Sequence, residues 1–407
     1  MGDLRRQPNA VSAKPAGQDS VEPAKEHMTR TQKRGPAYVR RRGYPVRFLV
    51  LLIALLVAGC GSGGEAGPPP EAEDARTVET RAEGTTPGEP VEVRAETLVS
   101  GLELPWDVAF LPEGDALLTE RDSNRLLRVT PEGEVSEVQT LDVATGNGEG
   151  GLLGVALSPE YAEDGYVYAY YTTEEDNRIA RFRLGEEPEP VFTGLPSAGI
   201  HNGGRIEFGP DGMLYVGTGD AAEPDLAQDR GSPAGKILRL TPEGEVPPDN
   251  PVPGNPMYSM GHRNVQGLAW DGDGQLYASE FGQDAYDELN RIEAGENYGW
   301  PEVEGEGGEP EYTDPIGVWR PSEASPSGVA ILRDGAVPQW EGDLFMTALR
   351  GERLWRVSLE RGEEVGRESL LEGDYGRLRH VEQAPDGSLW ILTSNGTDDR
   401  IVRLAPE

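Results

Sequence analysis

Titratable and charged side chains recur in short Gly-rich stretches of this chain, each directly before an apolar, strand-like segment. His201 stands before Asn-Gly-Gly-Arg, and because a histidine titrates near neutral pH it is a candidate general base. A second such stretch contains His262, Arg263 and Asn264. Arginine is always charged and suits the binding of carboxylates or developing oxyanions. The alternative for His201 is a side chain that merely caps a strand.

A second set of candidates consists of arginines in the last part of the chain. Arg377 and Arg379 stand two positions apart, so they face the same side of an extended segment, and Arg350 precedes them. Because the chain has a formal net charge of −35, a cluster of arginines predicts a pocket for a polyanionic small molecule. Alternatively, the arginines pair with some of the many carboxylates. Glu149, surrounded by glycines, is either a ligand contact or a solvated turn residue.

Several function classes are disfavoured. The sequence contains no zinc-ligand spacing, Walker loop, nucleophile elbow or Ser-His-Asp order. The segment 217–220 is Gly-rich but opens no helical pattern, which argues against a dinucleotide fold. Residues 61–407 carry 26 Lys and Arg against 68 Asp and Glu, so nucleic acid and anionic membrane surfaces are not expected as partners.

The elements that must position these groups are β-strands. An apolar strand, a Pro/Asp/Gly turn and a second strand recur six times along the chain. The copies start at Val108, Gly154, Arg205, Gly267, Gly328 and Arg379. Several short strands per period of about 50 residues are typical of a propeller blade. The sequence therefore predicts an all-β fold over residues 91–407, a six-bladed β-propeller with four-stranded antiparallel blades. Residues 91–98 are expected to complete the last blade by pairing with C-terminal strands.

The N-terminal segment, 1–60, has the pattern of an export signal. A basic stretch over residues 30–47 precedes an apolar run over 48–58, which is too short to span a bilayer. The junction Val-Ala-Gly-Cys60 resembles the lipobox of bacterial lipoproteins, in which Cys60 is lipidated. We therefore expect an exported protein, anchored by lipid to the outer face of the cell membrane and touching it only there. Residues 61–90, rich in Gly, Pro, Glu and Thr, are expected to be a flexible linker.

From about residue 102 to 404 the sequence resembles the soluble quinoprotein glucose/sorbosone dehydrogenases. The resemblance is carried, in order, by GEGGLLGVALSPEY (148–161), HNGGRIEFGPDGMLYVGTGD (201–220), GHRNVQGLAWD (261–271), SEFG with DELN (279–290) and NYGWP (297–301). Glu149, Ile200 and Arg350 stand where the best-known glucose-oxidising members have Gln, an acid and Lys. The sequence thus resembles more closely the aldose sugar dehydrogenase branch.

This resemblance implies oxidation of aldose sugars to lactones by hydride transfer to pyrroloquinoline quinone (PQQ), followed by electron transfer to an external acceptor. His201 matches the general base, and Arg263 matches the residue that stabilises negative charge developing on the quinone. The implied cofactor contacts are Glu149, His201, Arg263, Asn264, Arg350, Arg377 and Arg379. The backbone carbonyls of Gly282 and Gln283 match ligands of a Ca²⁺ ion. A ligand-binding propeller lipoprotein without catalytic activity is the alternative, and the preferred sugar, electron acceptor and oligomeric state stay open.

Overall fold

Short apolar strands separated by tight turns form nearly all the regular structure. The computed structural model describes residues 75–79, 91–141 and 148–407, and of residues 75–79 only the backbone. Within these residues, 25 strands form six antiparallel sheets. One short helix, α1 (Tyr161–Asp164), and two 3-10 turns, Pro224–Ala227 and Pro338–Trp340, complete the regular elements. The all-β, six-bladed prediction is confirmed.

Five blades each hold four consecutive strands, every strand pairing with the next. Blade 1 comprises β3 (Pro105–Phe110), β4 (Ala116–Glu120), β5 (Arg125–Val129) and β6 (Val135–Thr140). Blade 2 comprises β7 (Leu152–Leu157), β8 (Val167–Thr172), β9 (Asn177–Phe182) and β10 (Glu189–Leu195). Blade 3 comprises β11 (Ile206–Phe208), β12 (Leu214–Gly217), β13 (Lys236–Leu240) and β14 (Met257–Met260). Blade 4 comprises β15 (Val265–Trp270), β16 (Leu276–Glu280), β17 (Asp287–Ile292) and β18 (Gly317–Trp319). Blade 5 comprises β19 (Pro326–Ile331), β20 (Leu344–Ala348), β21 (Arg353–Glu360) and β22 (Glu363–Leu370).

The sixth blade joins the two ends of the propeller. It comprises β23 (Leu378–Gln383), β24 (Leu389–Thr393) and β25 (Asp399–Pro406) from the C-terminus and β2 (Glu92–Leu102) from the N-terminal side. Because β2 pairs antiparallel with β25, the predicted closure of the ring is confirmed. The ring is thus fastened by backbone hydrogen bonds between the strand that precedes the first blade and the last strand of the chain.

A further strand, β1 (Ala75–Glu79), pairs with the outer edge of β2. It lies inside the segment 61–90 for which the sequence predicts a flexible linker, so that prediction does not hold for this strand. The free edge of β2 offers unpaired backbone groups that a short segment can join without an apolar pattern of its own. The rest of the predicted linker and the predicted signal region, including Cys60, lie outside the described residues.

The core lies between the blades. Inner strands such as β15 and β19 are buried along their whole length, because each is covered by a neighbouring blade on both faces. Blades 5 and 6, for example, share a cluster that includes Trp340, Phe345, Val381 and Leu389. Contacts between successive inner strands run round the ring and close with β23 against β3. The blades therefore surround a central channel lined by their inner strands.

Antiparallel connectivity decides which loops meet at each mouth of this channel. The Pro/Asp/Gly turn between the first two strands of a blade lies at one end. The loop that precedes each inner strand and the loop between the second and third strands both lie at the other end. Sequence motifs that stand directly before inner strands are therefore brought to a single mouth. Among the described residues, no helix is long and apolar enough to cross a membrane.

Candidate active site

The loops at this mouth enclose a cavity of about 350 Å³. It is lined by eight of the residues singled out in the sequence, namely Glu149, His201, Arg263, Gly282, Gln283, Arg350, Arg377 and Arg379. The lining also includes residues that sequence reasoning did not select, namely Trp106, Arg121, Gln266, Phe281, Asp287, Pro321, Ser325 and Leu349. Residues from several different blades thus meet in one pocket.

His201 is fixed at both its backbone and its ring. Its φ of 58° lies in the left-handed region, which is uncommon for a side-chain-bearing residue and frequent at functional sites. Its N–H donates to Glu149 Oε2 at 2.8 Å. The ring Nδ1 lies 2.7 Å from Asp220 Oδ1. An ionised carboxylate only accepts hydrogen bonds, so this contact with an ionised Asp220 requires the tautomer with its proton on Nδ1, which leaves the lone pair of Nε2 for a general base.

Asp220 was not selected from the sequence, yet it determines the orientation of this base. It is fully buried, and besides His201 it accepts hydrogen bonds from Trp300 Nε1 at 2.9 Å and from the Ala222 N–H at 2.8 Å. In the sequence, Asp220 could have been found as the carboxylate that ends the Gly-rich segment 217–220, directly after a strand. Trp300 comes from the Asn-Tyr-Gly-Trp-Pro corner, so the two motifs are joined through one carboxylate.

Arg263 retains donor capacity on the cavity wall. Its N–H donates to Glu280 Oε2 at 2.7 Å, and its Nη1 donates to the Phe281 carbonyl at 3.3 Å. Its guanidinium carbon lies 5.4 Å from the centre of the Trp300 indole ring, within cation–π range. Within the part of the chain that the structure describes, its buried Nε has no hydrogen-bond partner.

Arg350, Arg377 and Arg379, the candidate arginines of the last part of the chain, all line the cavity. Over residues 91–141 and 148–407, Arg350, Arg377 and Arg379 form no ion pair with a carboxylate, so the pairing alternative does not hold for them. Arg379 is buried; its Nη1 donates to Gln266 Oε1 at 2.8 Å, and its Nε has no partner among these residues. Burial, with the positive charges of Arg121 and Arg377 nearby, lowers the pKa of Arg379 to about 9. Arg350 and Arg377 are exposed, whereas the charge of Arg379 is buried and therefore costly while unpaired, so this wall of the cavity is suited to anionic groups.

The three residues of the His-Arg-Asn cluster point in different directions, and only Arg263 lines the cavity. His262 is fully buried between Ser259 Oγ at 2.8 Å and Glu280 Oε1 at 2.9 Å, which makes it a structural residue. Asn264 is also fully buried, and its Oδ1 accepts the Gly203 N–H at 2.9 Å, so it braces the loop that carries His201. It does not line the cavity, and its role as a cofactor contact stays a prediction.

Oxygen atoms suited to a hard cation lie on the part of the cavity wall that blade 4 forms. In the described residues the carbonyl oxygens of Gly282 and Gln283 accept no hydrogen bond. Nearby, Asp287 accepts the N–H groups of Gly282 at 3.0 Å and Ser325 at 2.6 Å, and burial raises the pKa of Asp287 to about 6. Across residues 91–141 and 148–407, no three acidic, His or Cys side chains are arranged to hold a metal. A cation here would therefore depend on backbone oxygens and a bound ligand, a donor set acceptable to Ca²⁺.

At one mouth of the six-bladed propeller, the site combines an oriented imidazole with guanidinium groups that form no ion pair in the described residues. Such a site defines a class of enzyme that has both a proton acceptor and a receptor for anions. Comparison with known proteins narrows this class. The model of the glucose/sorbosone dehydrogenase family matches residues 102–403. The chain belongs to this family of oxidoreductases, as its sequence motifs predicted.

Individual relatives agree with this assignment. The solved structure of PQQ-bound aldose sugar dehydrogenase from Streptomyces coelicolor is 49% identical to the chain, with a TM-score of 0.73, over 79% of the chain and 100% of that protein. Aldose sugar dehydrogenase YliI of Escherichia coli is 30% identical over 78% of the chain and 94% of its own length. Quinoprotein glucose dehydrogenase B of Acinetobacter calcoaceticus is 33% identical over 52% of each sequence.

Proposed function

We propose that this protein oxidises aldose sugars to lactones, with PQQ as the bound electron acceptor and His201 as the general base. The observation that carries the proposal is one cavity that contains both the oriented imidazole of His201 and the unpaired cations of the sixth blade. The Streptomyces coelicolor relative has been solved with PQQ bound, which supports the choice of cofactor.

The cavity fits this cofactor by charge. PQQ is a planar polycarboxylate, and Arg350, Arg377 and Arg379 would hold its carboxylates through charge-assisted hydrogen bonds. The Nε atoms of Arg263 and Arg379, which have no hydrogen-bond partner among the described residues, are donors that such an anion would satisfy. When bound, the quinone supplies the electrophilic carbon that accepts a hydride, which is chemistry that no side chain can provide.

The chain's own residues supply positioning, proton transfer and electrostatics. His201 Nε2 takes the proton of the sugar hydroxyl on the carbon that loses its hydride, so the carbon–oxygen bond becomes the carbonyl of the lactone. Asp220 holds the imidazole in the required tautomer and stabilises it once it is protonated. The guanidinium of Arg263 stabilises negative charge that develops in the cavity. Trp106, Phe281 and Leu349 line the same cavity with apolar surface.

The same proposal includes a Ca²⁺ ion bound by the carbonyl oxygens of Gly282 and Gln283, which are free of hydrogen bonds in the described part of the chain. It also includes export, lipid anchoring at Cys60 and an external electron acceptor. Export and anchoring rest on the basic, apolar and lipobox-like pattern of residues 30–60, which lies outside the described residues.

The test is His201→Ala in the purified full chain. Removal of a general base should lower turnover by about 10²- to 10⁴-fold, while PQQ affinity, held mainly by arginines, changes little. Glu223→Gln changes an exposed side chain on the neighbouring loop and is the matched control. Turnover of His201→Ala equal to that of wild type would remove His201 from the mechanism. PQQ binding without oxidation of any sugar would indicate a different alcohol or aldehyde substrate, whereas absence of PQQ binding would favour the ligand-binding propeller.

A further inference from the structure

One carboxylate organises the loop between β16 and β17, residues 281–286. Glu304, which follows β17 in the chain, directs its Oε1 at four successive backbone N–H groups. These belong to Gln283 at 2.5 Å, Asp284 at 3.0 Å, Ala285 at 3.1 Å and Tyr286 at 3.3 Å. Within the described residues, no arginine or lysine pairs with Glu304, so these backbone groups are its partners. The arrangement resembles an anion held in a nest of amides, with the anion supplied by the chain itself.

Peptide geometry links these N–H groups to the two carbonyls assigned to calcium. In a trans peptide the N–H of one residue and the C=O of the residue before it point in opposite directions. The peptide bonds of this loop are trans, since the cis bonds among the described residues precede Pro301 and Pro310. By drawing the N–H groups of Gln283 and Asp284 toward itself, Glu304 turns the carbonyl oxygens of Gly282 and Gln283 away from itself.

The loop has little room to adopt another conformation. A Cβ at Gly282 would lie 1.6 Å from the Tyr286 carbonyl oxygen and 2.6 Å from Glu304 Oε1, so only glycine fits. The Gly282 N–H is also taken, by Asp287 Oδ1 at 3.0 Å. With the N–H groups on both sides of Gly282 occupied, its carbonyl and that of Gln283 stay free of hydrogen bonds in the described residues, and both residues line the cavity.

We propose that Glu304 is a positioning residue for calcium, which presets the carbonyls of Gly282 and Gln283 as a cation-binding pair without touching the ion. This inference rests on the calcium site of the proposed function. Neutral carbonyls attract a cation only weakly one at a time, so affinity depends on how well they are held together before binding. Residues that orient metal ligands commonly change metal affinity by about 10- to 100-fold when they are replaced.

The test compares wild type, Glu304→Gln and Glu304→Ala in the full chain, with Glu306→Gln as the control because Glu306 is exposed. Calorimetric titration of metal-free, PQQ-loaded protein with Ca²⁺ should show Kd raised about tenfold in Glu304→Gln, which keeps one acceptor oxygen, and up to about 100-fold in Glu304→Ala. Hydrogen exchange at the amides of residues 283–286 should become faster in both variants. PQQ affinity measured in excess chelator should stay within about twofold of wild type, which a general loss of structure would not allow.

Two results would decide against the inference, and a third would decide against the calcium site on which it rests. Calcium affinity of Glu304→Ala within twofold of wild type would overturn it, whatever the exchange data show. Equal losses of calcium affinity in Glu304→Ala and Glu306→Gln would assign the effect to surface charge and would also overturn the inference. Absence of calcium binding by the PQQ-loaded wild-type chain would instead contradict the calcium site of the proposed function, and so separates the two failures.

Discussion

Replacement of Asp220 by Asn tests whether His201 acts through a fixed tautomer. Asp220 accepts from three donors: His201 Nδ1 at 2.7 Å and the Ala222 N–H at 2.8 Å on one oxygen, and Trp300 Nε1 at 2.9 Å on the other. Asparagine has nearly the same shape but only one acceptor oxygen. Whichever way the new amide is oriented, its NH₂ group must face at least one of these donors.

Each orientation has a separate cost. If the amide oxygen faces His201, the NH₂ group opposes Trp300 Nε1, and an unsatisfied buried donor costs about 1–3 kcal/mol. If the amide is flipped, its NH₂ donates to Nδ1, the imidazole proton moves to Nε2, and the lone pair that accepts the sugar proton is lost. In both orientations the negative charge that stabilises the protonated imidazole is gone. We expect turnover to fall by about 10²- to 10⁴-fold, which corresponds to about 3–5 kcal/mol in the barrier.

The assay is steady-state dye reduction by the PQQ-loaded full chain over a range of aldose concentrations. PQQ affinity and the KM for sugar should change little, because Asp220 is buried and lies behind His201. Asp225→Asn, at an exposed position of the same loop, is the matched control. Turnover of Asp220→Asn within twofold of the control would refute the argument from the tautomer.

Three further predictions concern charge, closure and pH. Arg379→Leu should weaken PQQ binding by about 10- to 100-fold in fluorescence titrations yet raise the melting temperature of the cofactor-free protein, because it removes a buried cation repelled by its neighbours; a lower melting temperature would contradict this. Leu404→Ala, in the core of the closing blade, should cost about 2–5 kcal/mol in urea unfolding, whereas a cost below about 1 kcal/mol would argue against the closure. Partial burial and the nearby Asp107 raise the pKa of Glu382 from 4.5 to about 8, so its protonated form contributes stability that is lost as pH rises through that range. Glu382→Gln should therefore melt higher than wild type at pH 9 and equally at pH 4, and equal melting at pH 9 would contradict the assignment.

The repeated strands could be predicted because their information is local. Each copy of the pattern, such as the one that begins at Gly267, carries its own apolar alternation and its own turn, and these fix a blade without knowledge of the others. The pairing of β2 with β25 followed from the need of a ring to close. The strand β1 could not be predicted, since it pairs with the backbone edge of β2 and its sequence, ARTVE, has no apolar period.

The sequence predicted the features of the site that follow from the order of strands and loops along the chain. A position directly before an inner strand was enough to bring His201, Arg263 and Arg377 to the same mouth. Connectivity does not say toward which side a loop residue points, so the buried positions of His262 and Asn264 were not foreseen. Composition also does not predict whether an arginine forms an ion pair with a carboxylate, because this depends on distances in the folded chain.

The contacts between motifs were the least predictable. Asp220 meets Trp300 from a distant part of the chain, and Arg121 joins the cavity from a blade in which no candidate had been selected. Both motifs are visible in the sequence, as a Gly-Asp pair after a strand and as an aromatic corner. Neither motif predicts which residue it will contact. Such pairs follow from the way blades 3 and 4 meet, which is a property of the assembled ring.

The most direct test of the central claim is reconstitution of the purified full chain with PQQ and Ca²⁺, followed by dye reduction with a panel of aldoses. The account predicts that oxidation of at least one aldose appears only when PQQ is added, increases with Ca²⁺ and is lost in His201→Ala. If PQQ does not bind, the arginine-lined cavity has another ligand and the proposed dehydrogenase activity is contradicted.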